Sequence, residues 1–228
     1  VNGEVIHGEA VEVLRWMLRR RGYDKRDVVM MTDPAWPGCE HVPINGALDP
    51  VGAWRPVAEL APRVGNRLIL WLGHNTDPRE MVGAVPTALT FKTVVTLRQV
   101  PPGYRGCLMG GDLAYVFADQ LRVPEGQHVL PGEIVSNGPQ HRHERNQLQH
   151  PCPRSPQHAR GLVRWYAARA SLIVDPFCGS GTTLVAAAEL GVRFMGIDSD
   201  LRWVEESRAR LDRVTSQGLL DFDQRRPL

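Results

Sequence analysis

Ser171-Leu-Ile-Val-Asp175-Pro-Phe-Cys-Gly179-Ser-Gly181-Thr-Thr183 reads as a short apolar strand ending in a carboxylate, then a tight glycine turn, then the start of an Ala-rich helix. A strand, a turn and a helix N-terminus in that order form a cradle for a nucleotide or nucleoside. The next apolar run, Arg193-Phe-Met-Gly-Ile-Asp198, ends in a second carboxylate. Two rivals drop out at once. A dinucleotide fingerprint needs a third glycine at 184, where Leu184 stands, and a P-loop needs a Gly-Lys-Ser/Thr that is absent.

Outward from this stretch, apolar runs alternate with helical periodicity. Val5-Ile6 forms a first short strand, and Ala10, Val13, Leu14, Met17 and Leu18 mark a helix that Gly22 stops. Val28 to Thr32 is continuously apolar up to Thr32, as a strand buried on both faces requires. It runs into Asp33-Pro34-Ala35-Trp36 and then a Pro- and Gly-rich loop from 37 to 52. Helices are expected over Trp54–Leu60 and Arg79–Val85, with strands at Leu68–Leu72, Phe91–Leu97 and Leu113–Phe117. Residues 121–149 lose periodicity and read as a flexible loop. A helix over Gln157–Ala170 precedes the opening stretch, and an amphipathic helix with Leu201, Val204 and Leu211 follows Asp198, with a polar tail over 218–228. The sum is one α/β domain over residues 1–228, with about seven strands in a mostly parallel sheet and helices on both faces. Ligands then belong at the carboxyl ends of the strands, where Asp33 and Asp175 stand.

Composition narrows the class. The 228 residues are 43% hydrophobic and 23% charged with a formal charge of +2, and no apolar run is long enough to cross a membrane. Cys39, Cys107, Cys152 and Cys178 make no CxxC pair, which argues against a zinc knuckle or a disulfide framework and for a cytoplasmic setting. His141, His143 and His150 fall in a Gly-, Pro- and Gln-rich stretch with no CxxC pair beside them and read as phosphate-facing or solvated, so no metal is expected. Arginines cluster over 19–26 and again over 142–169, consistent with a phosphate-binding face.

Read as Asp-Pro-Phe-x-Gly-Ser-Gly-Thr-Thr, residues 175–183 resemble the S-adenosylmethionine motif of DNA amino-methyltransferases, and Asp33-Pro34-Ala35-Trp36 resembles their catalytic tetrapeptide. The tetrapeptide comes first and the cofactor motif late, which is the permuted order of the β-class. The resemblance implies a Rossmann-like methyltransferase fold and methyl transfer to the N6 amino group of adenine in DNA, with cytosine N4 as the first alternative and, behind it, an RNA or small-molecule methyltransferase or a non-catalytic DNA-binding relative. Asp33 and the Pro34 carbonyl would accept the amino hydrogens, so that the nitrogen lone pair aims at the sulfonium methyl. Trp36 would stack on the flipped base. Ala35 departs from the family, which carries a second proline there.

The same resemblance assigns cofactor contacts. His7 and Glu9 stand at the family's N-terminal acidic segment, and Arg154 in His150-Pro-Cys-Pro-Arg154 takes the place of a lysine that helps close over the cofactor. Asp33, Asp175, Pro176, Phe177, Cys178, Gly179, Ser180, Gly181, Thr182, Thr183, Asp198 and Ser199 would contact the cofactor, with the glycines letting backbone approach its methionine part and Asp198 accepting from the ribose hydroxyls. Trp36, His141, Arg142, His143 and Arg145 would meet duplex DNA. No separate target-recognition segment stands out beyond 37–52 and 121–149, which leaves specificity to a short contact surface, a homodimer or a partner protein.

Overall fold

The computed structural model describes residues 3–20, 24–73, 76–100, 111–137 and 147–224. Eight strands form one sheet: β1 (Gly3–His7), β2 (Val28–Thr32), β3 (Arg67–Gly73), β4 (Phe91–Val100), β5 (Gly111–Ala118), β6 (Glu133–Asn137), β7 (Leu172–Asp175) and β8 (Phe194–Asp198). The helices are α1 (Ala10–Leu18), α2 (Pro50–Val64), α3 (Arg79–Gly83), α4 (Pro156–Tyr166), α5 (Thr182–Glu189) and α6 (Leu201–Gln224). Sheet order is β1-β8-β7-β2-β3-β5-β4-β6. Strand β5 is antiparallel to both its neighbours and every other pairing is parallel, so β5 alone among these strands runs against the rest.

Alternation along each central strand explains the apolar runs. In β2, Val29 and Met31 face a core built with α4, α5 and α6, whereas Val28 and Met30 face one built with α1, α2 and α3. A strand covered on both faces has no side for polar residues. Trp54 of α2 is fully buried and its indole N–H donates to the Met81 carbonyl at 2.8 Å. That bond keeps a large core side chain from burying an orphan donor, and Trp54→Ala would cost about 3–5 kcal/mol.

The structure corrects several expectations. The sheet has eight strands, because Glu133–Asn137 inside the expected 121–149 loop pairs in parallel with β4 and buries Ile134 and Ser136. Helix α2 begins at Pro50, four residues before Trp54, since the Asp49 carboxylate accepts from the Gly52 N–H and Pro50 fits the first turn. Helix α4 stops at Tyr166: Arg67 donates to the carbonyls of Tyr166 and Ala168, and Arg169 turns the chain with φ 59°. Helix α6 continues through the expected tail to Gln224. Gly22, His141, Arg142, His143 and Arg145 lie outside the described residues.

Candidate active site

The carboxyl ends of β2, β7 and β8 open onto a cleft of about 550 Å³ that Glu9, Asp33, Trp36, Arg154, Asp175 and Asp198 all border. β2 and β7 are parallel neighbours, so residues remote in sequence end side by side. The Thr32 hydroxyl donates to Asp175 Oδ1 at 3.0 Å, joining positions 143 residues apart. The Phe177 N–H also donates to Asp175 Oδ1, at 3.2 Å. Burial pushes the Asp175 carboxyl up to about 7, against the pull of the bonds from Thr183, Phe177 and Thr32.

The turn after Asp175 is shaped for close approach. Gly179 and Gly181 adopt φ of +49° and +77°, in the left-handed region where a side chain is strained. The Gly179 carbonyl accepts from Ser207 Oγ at 2.7 Å, and Arg210 of α6 donates to the Ser180 carbonyl and, at 3.2 Å, to Thr182 Oγ1. Thr183 bonds Asp175, and Cys178 is buried beneath the turn with its thiol pushed well up by burial. Thus Asp175, Phe177, Cys178, Gly179, Ser180, Thr182 and Thr183 come together at the cleft, whereas Pro176 and Gly181 do not line it.

Asp198 closes the other side. Its oxygens accept from the Gly179 N–H at 2.9 Å and the Asp200 N–H at 2.9 Å, while burial raises its pKa. Ser199 is the hub of two contacts: its hydroxyl accepts from Asn45 Nδ2 at 2.8 Å, and its carbonyl lies 3.2 Å from His7 Nε2. Asn45 therefore ties the segment after β2 across to the end of β8. His150 packs over the turn, edge-on to Trp203 with ring centroids 4.7 Å apart. Burial, with Arg154 and Arg210 nearby, lowers its pKa to about 4. The neutral ring accepts the Cys152 N–H on Nδ1 at 3.3 Å, which places its proton on Nε2, beside Gly179.

Asp33 and Trp36 meet Arg154. Its Nε and one terminal nitrogen donate to the two Asp33 oxygens at 2.5 and 2.8 Å, and the other terminal nitrogen to Asp112 Oδ2 at 2.8 Å. The guanidinium carbon lies 4.2 Å from the Trp36 ring centroid and 5.6 Å from that of Trp71. Burial pushes the Asp33 carboxyl up while Arg154 pulls it down, and burial of Arg154 is more than offset by Asp112 and Asp33, which hold it charged. Ala35 is buried against Cys39 and Ala47.

Asp112, Trp71, Thr32, Asn45 and Ser207 escaped the sequence reading. Asp112 is the second residue of β5, and only the reversal of that strand sets it opposite Gly73 at the ligand-binding edge. Thr32 had a legible signal, a hydroxyl directly before the strand-end carboxylate. Among the described residues no cluster of three or more His, Cys, Asp or Glu could hold a metal ion, and no helix is long and apolar enough to cross a membrane.

The family model described as DNA methylase matches residues 86–209, more than half of the chain. The chain belongs to the DNA methylase family. Among its relatives, the tRNA (guanine(10)-N2)-dimethyltransferase of Methanothermobacter thermautotrophicus is 40% identical over 75 residues, 32% of this chain and 21% of that protein. The type II methyltransferase M2.LlaDCHI of Lactococcus lactis subsp. cremoris is 47% identical over 47 residues, 21% of this chain and 18% of that one. The chain thus spans about a fifth of the length of these curated relatives. The crystal structure of the M1.HpyAVI–SAM complex superposes with a TM-score of 0.67 at 16% identity, covering 92% of this chain and 98% of that one. That likeness shows that this member of the DNA methylase family has the Rossmann-like methyltransferase fold. The α/β architecture and mostly parallel sheet expected from the sequence hold.

Proposed function

We propose that this chain is an S-adenosylmethionine-dependent DNA methyltransferase acting on an exocyclic amino group, that of adenine N6 in the first instance. The observation that carries this reading is the shared cleft: Asp33-Pro34-Ala35-Trp36 and the Asp175–Thr183 turn end on adjacent parallel strands tied by the Thr32–Asp175 bond. A methyl acceptor and a methyl donor need that proximity.

The residues fit the cofactor. A Cβ at Gly179 would come to 3.0 Å from His150 Nε2, so the glycine lets the His150 ring sit directly on the turn whose backbone faces the methionine part. Asp198 borders the cleft as the acceptor for the ribose hydroxyls, and Glu9 borders it for the adenine. Bound there, S-adenosylmethionine supplies an electrophilic methyl group. Asp33 and the Pro34 carbonyl orient the target amino group by accepting its hydrogens, Trp36 offers a stacking face, and His150 shields the turn from water. An opening Asp rather than Ser in the tetrapeptide favours adenine. Duplex DNA with the target base flipped is the substrate, and the basic sequence with His141, Arg142, His143 and Arg145 is its further contact; specificity rests on a short contact surface, a second copy or a partner protein.

The test is direct. The chain is incubated with labelled S-adenosylmethionine and mixed-sequence duplex DNA, and the DNA is digested to nucleosides. N6-methyladenine is expected, and Asp33→Ala should reduce it by at least about a hundredfold, the scale of a lost transition-state contact. N4-methylcytosine alone would replace the adenine reading, and label in transfer RNA but not in duplex DNA would overturn the DNA reading.

A further inference from the structure

The target-base seat is already filled by part of the chain. An extruded base needs two things here, a free Asp33 acceptor and the open face of Trp36. Arg154 takes both. Its guanidinium is planar, as a base is, and it donates two N–H groups to the Asp33 oxygens at 2.5 and 2.8 Å, as an exocyclic amine would. It also lies 4.2 Å from the Trp36 centroid. Both partners are largely withdrawn from water, with side chains 12% and 19% exposed, so a base cannot slip in beside the pair.

A second seat lies next to the first. Asp112 already accepts from Arg154 at 2.8 Å and is itself oriented by the Trp71 indole N–H at 3.0 Å, while the Trp71 ring stands 5.6 Å from the guanidinium carbon. An arginine that leaves Asp33 therefore keeps one charge-assisted bond and gains a second aromatic face, so its displacement does not strand a buried cation. We propose that Arg154 fills the target-base seat while no base is present, and that an extruded base displaces it from Asp33 and Trp36 onto Asp112 and Trp71. This rests on the methyl-transfer reading. It makes Arg154 a base mimic and a selectivity filter: only a planar base with an amino donor recovers both contacts the arginine gives up.

The experiment compares the wild-type chain with Arg154→Ala, using dAMP and dCMP as probes in equilibrium binding and duplex plasmid DNA in methylation kinetics. Emptying the seat removes a competitor, so nucleotide binding should tighten by about tenfold and KM for DNA should fall in step. Methylguanidine, added to refill the hole, should compete with nucleotide and raise KM. The opposite result overturns the proposal: if Arg154 instead orients Asp33 during transfer, the variant binds nucleotide no more tightly, and methylguanidine restores kcat. Circular dichroism checks the fold. Should the alanine variant not fold, Arg154→Lys serves, since an ammonium neither forks onto a carboxylate nor stacks as a plane. Failure of the wild-type chain to methylate any DNA would refute the methyl-transfer reading, while the nucleotide arm would still decide the proposal. Binding of nucleotide by neither protein would overturn it.

Discussion

Asp175→Asn should stabilise the ligand-free protein at pH 8 and not at pH 5. In the unfolded chain this carboxyl titrates near its ordinary value of 3.8, whereas burial raises it to about 7 in the fold. Between those values the folded state binds more protons than the unfolded one, so unfolding becomes easier as pH rises. The contribution is fully present below the unfolded pKa and is lost as pH climbs through about 7. Each pKa unit corresponds to about 1.4 kcal/mol, so roughly three units place about 4 kcal/mol in this titration. An amide escapes it. It also gives up one acceptor oxygen where Thr32, Phe177 and Thr183 donate, which returns about 1–2 kcal/mol. The net expectation is a gain of about 2–3 kcal/mol at pH 8 and a change near zero at pH 5, where roughly 1.6 kcal/mol of the titration has already been lost, read by urea unfolding at both values. Equal shifts at the two pH values, or a larger loss at pH 8, would refute burial as the cause of the raised pKa. Cofactor affinity should move the other way, falling in the variant, because the amide cannot offer a charge to a cationic ligand.

Three further perturbations test the scaffold. Gly181→Ala forces a side chain into φ +77° and sets its Cβ 2.6 Å from Ser207 Oγ, so a loss of about 3 kcal/mol is expected by thermal unfolding; Ser207→Ala should relieve part of it in a double-mutant cycle. Gly73→Ala puts a Cβ 2.9 Å from the Trp36 indole, and it should cut methyl transfer by about tenfold or more while leaving cofactor affinity near that of the wild type. Glu206 accepts from the Gln149 and His150 N–H groups at 2.7 and 3.2 Å, so Glu206→Ala should loosen His150 over the turn, costing about 1–2 kcal/mol and weakening cofactor binding in a calorimetric titration.

The central strands were legible because their environment writes itself into composition. Val28 to Met31 must be apolar at every position when helices cover both faces, and the carboxylates that end β2, β7 and β8 interrupt that pattern where ligands bind. Boundaries set by side-chain capping were harder to see: Asp49-Pro50 is a helix start, but the glycine at 52 made the segment look like loop. Glu133–Asn137 holds too few apolar residues to announce a strand, and it is one only because β4 offers an edge. Strand direction left no trace at all. Nothing in Gly111–Ala118 tells that β5 is reversed, and so nothing tells that Asp112 shares a site with Asp33 and Arg154.

Two carboxylates at the ends of neighbouring strands face a common electrostatic difficulty, and the chain meets it in two ways. Asp33 is paired with Arg154, whereas Asp175 is held near neutrality by burial, with the Asp33 charge adding to the same upward shift. Displacing Arg154 with a base exchanges a cation for neutral amino hydrogens, leaving Asp33 with no full positive charge against it. A cation elsewhere in the cleft would then favour base entry, which couples cofactor to base. S-adenosylmethionine carries a sulfonium charge that S-adenosylhomocysteine lacks. dAMP should therefore bind more tightly to the chain saturated with the former, by about five- to tenfold, at the low end of ordinary coupling energies. The preference should shrink as salt rises only to the extent that the cleft admits ions. Equal dAMP affinities with the two ligands would show that the charge on Asp33 is met by other means, and that the order of binding is set by shape.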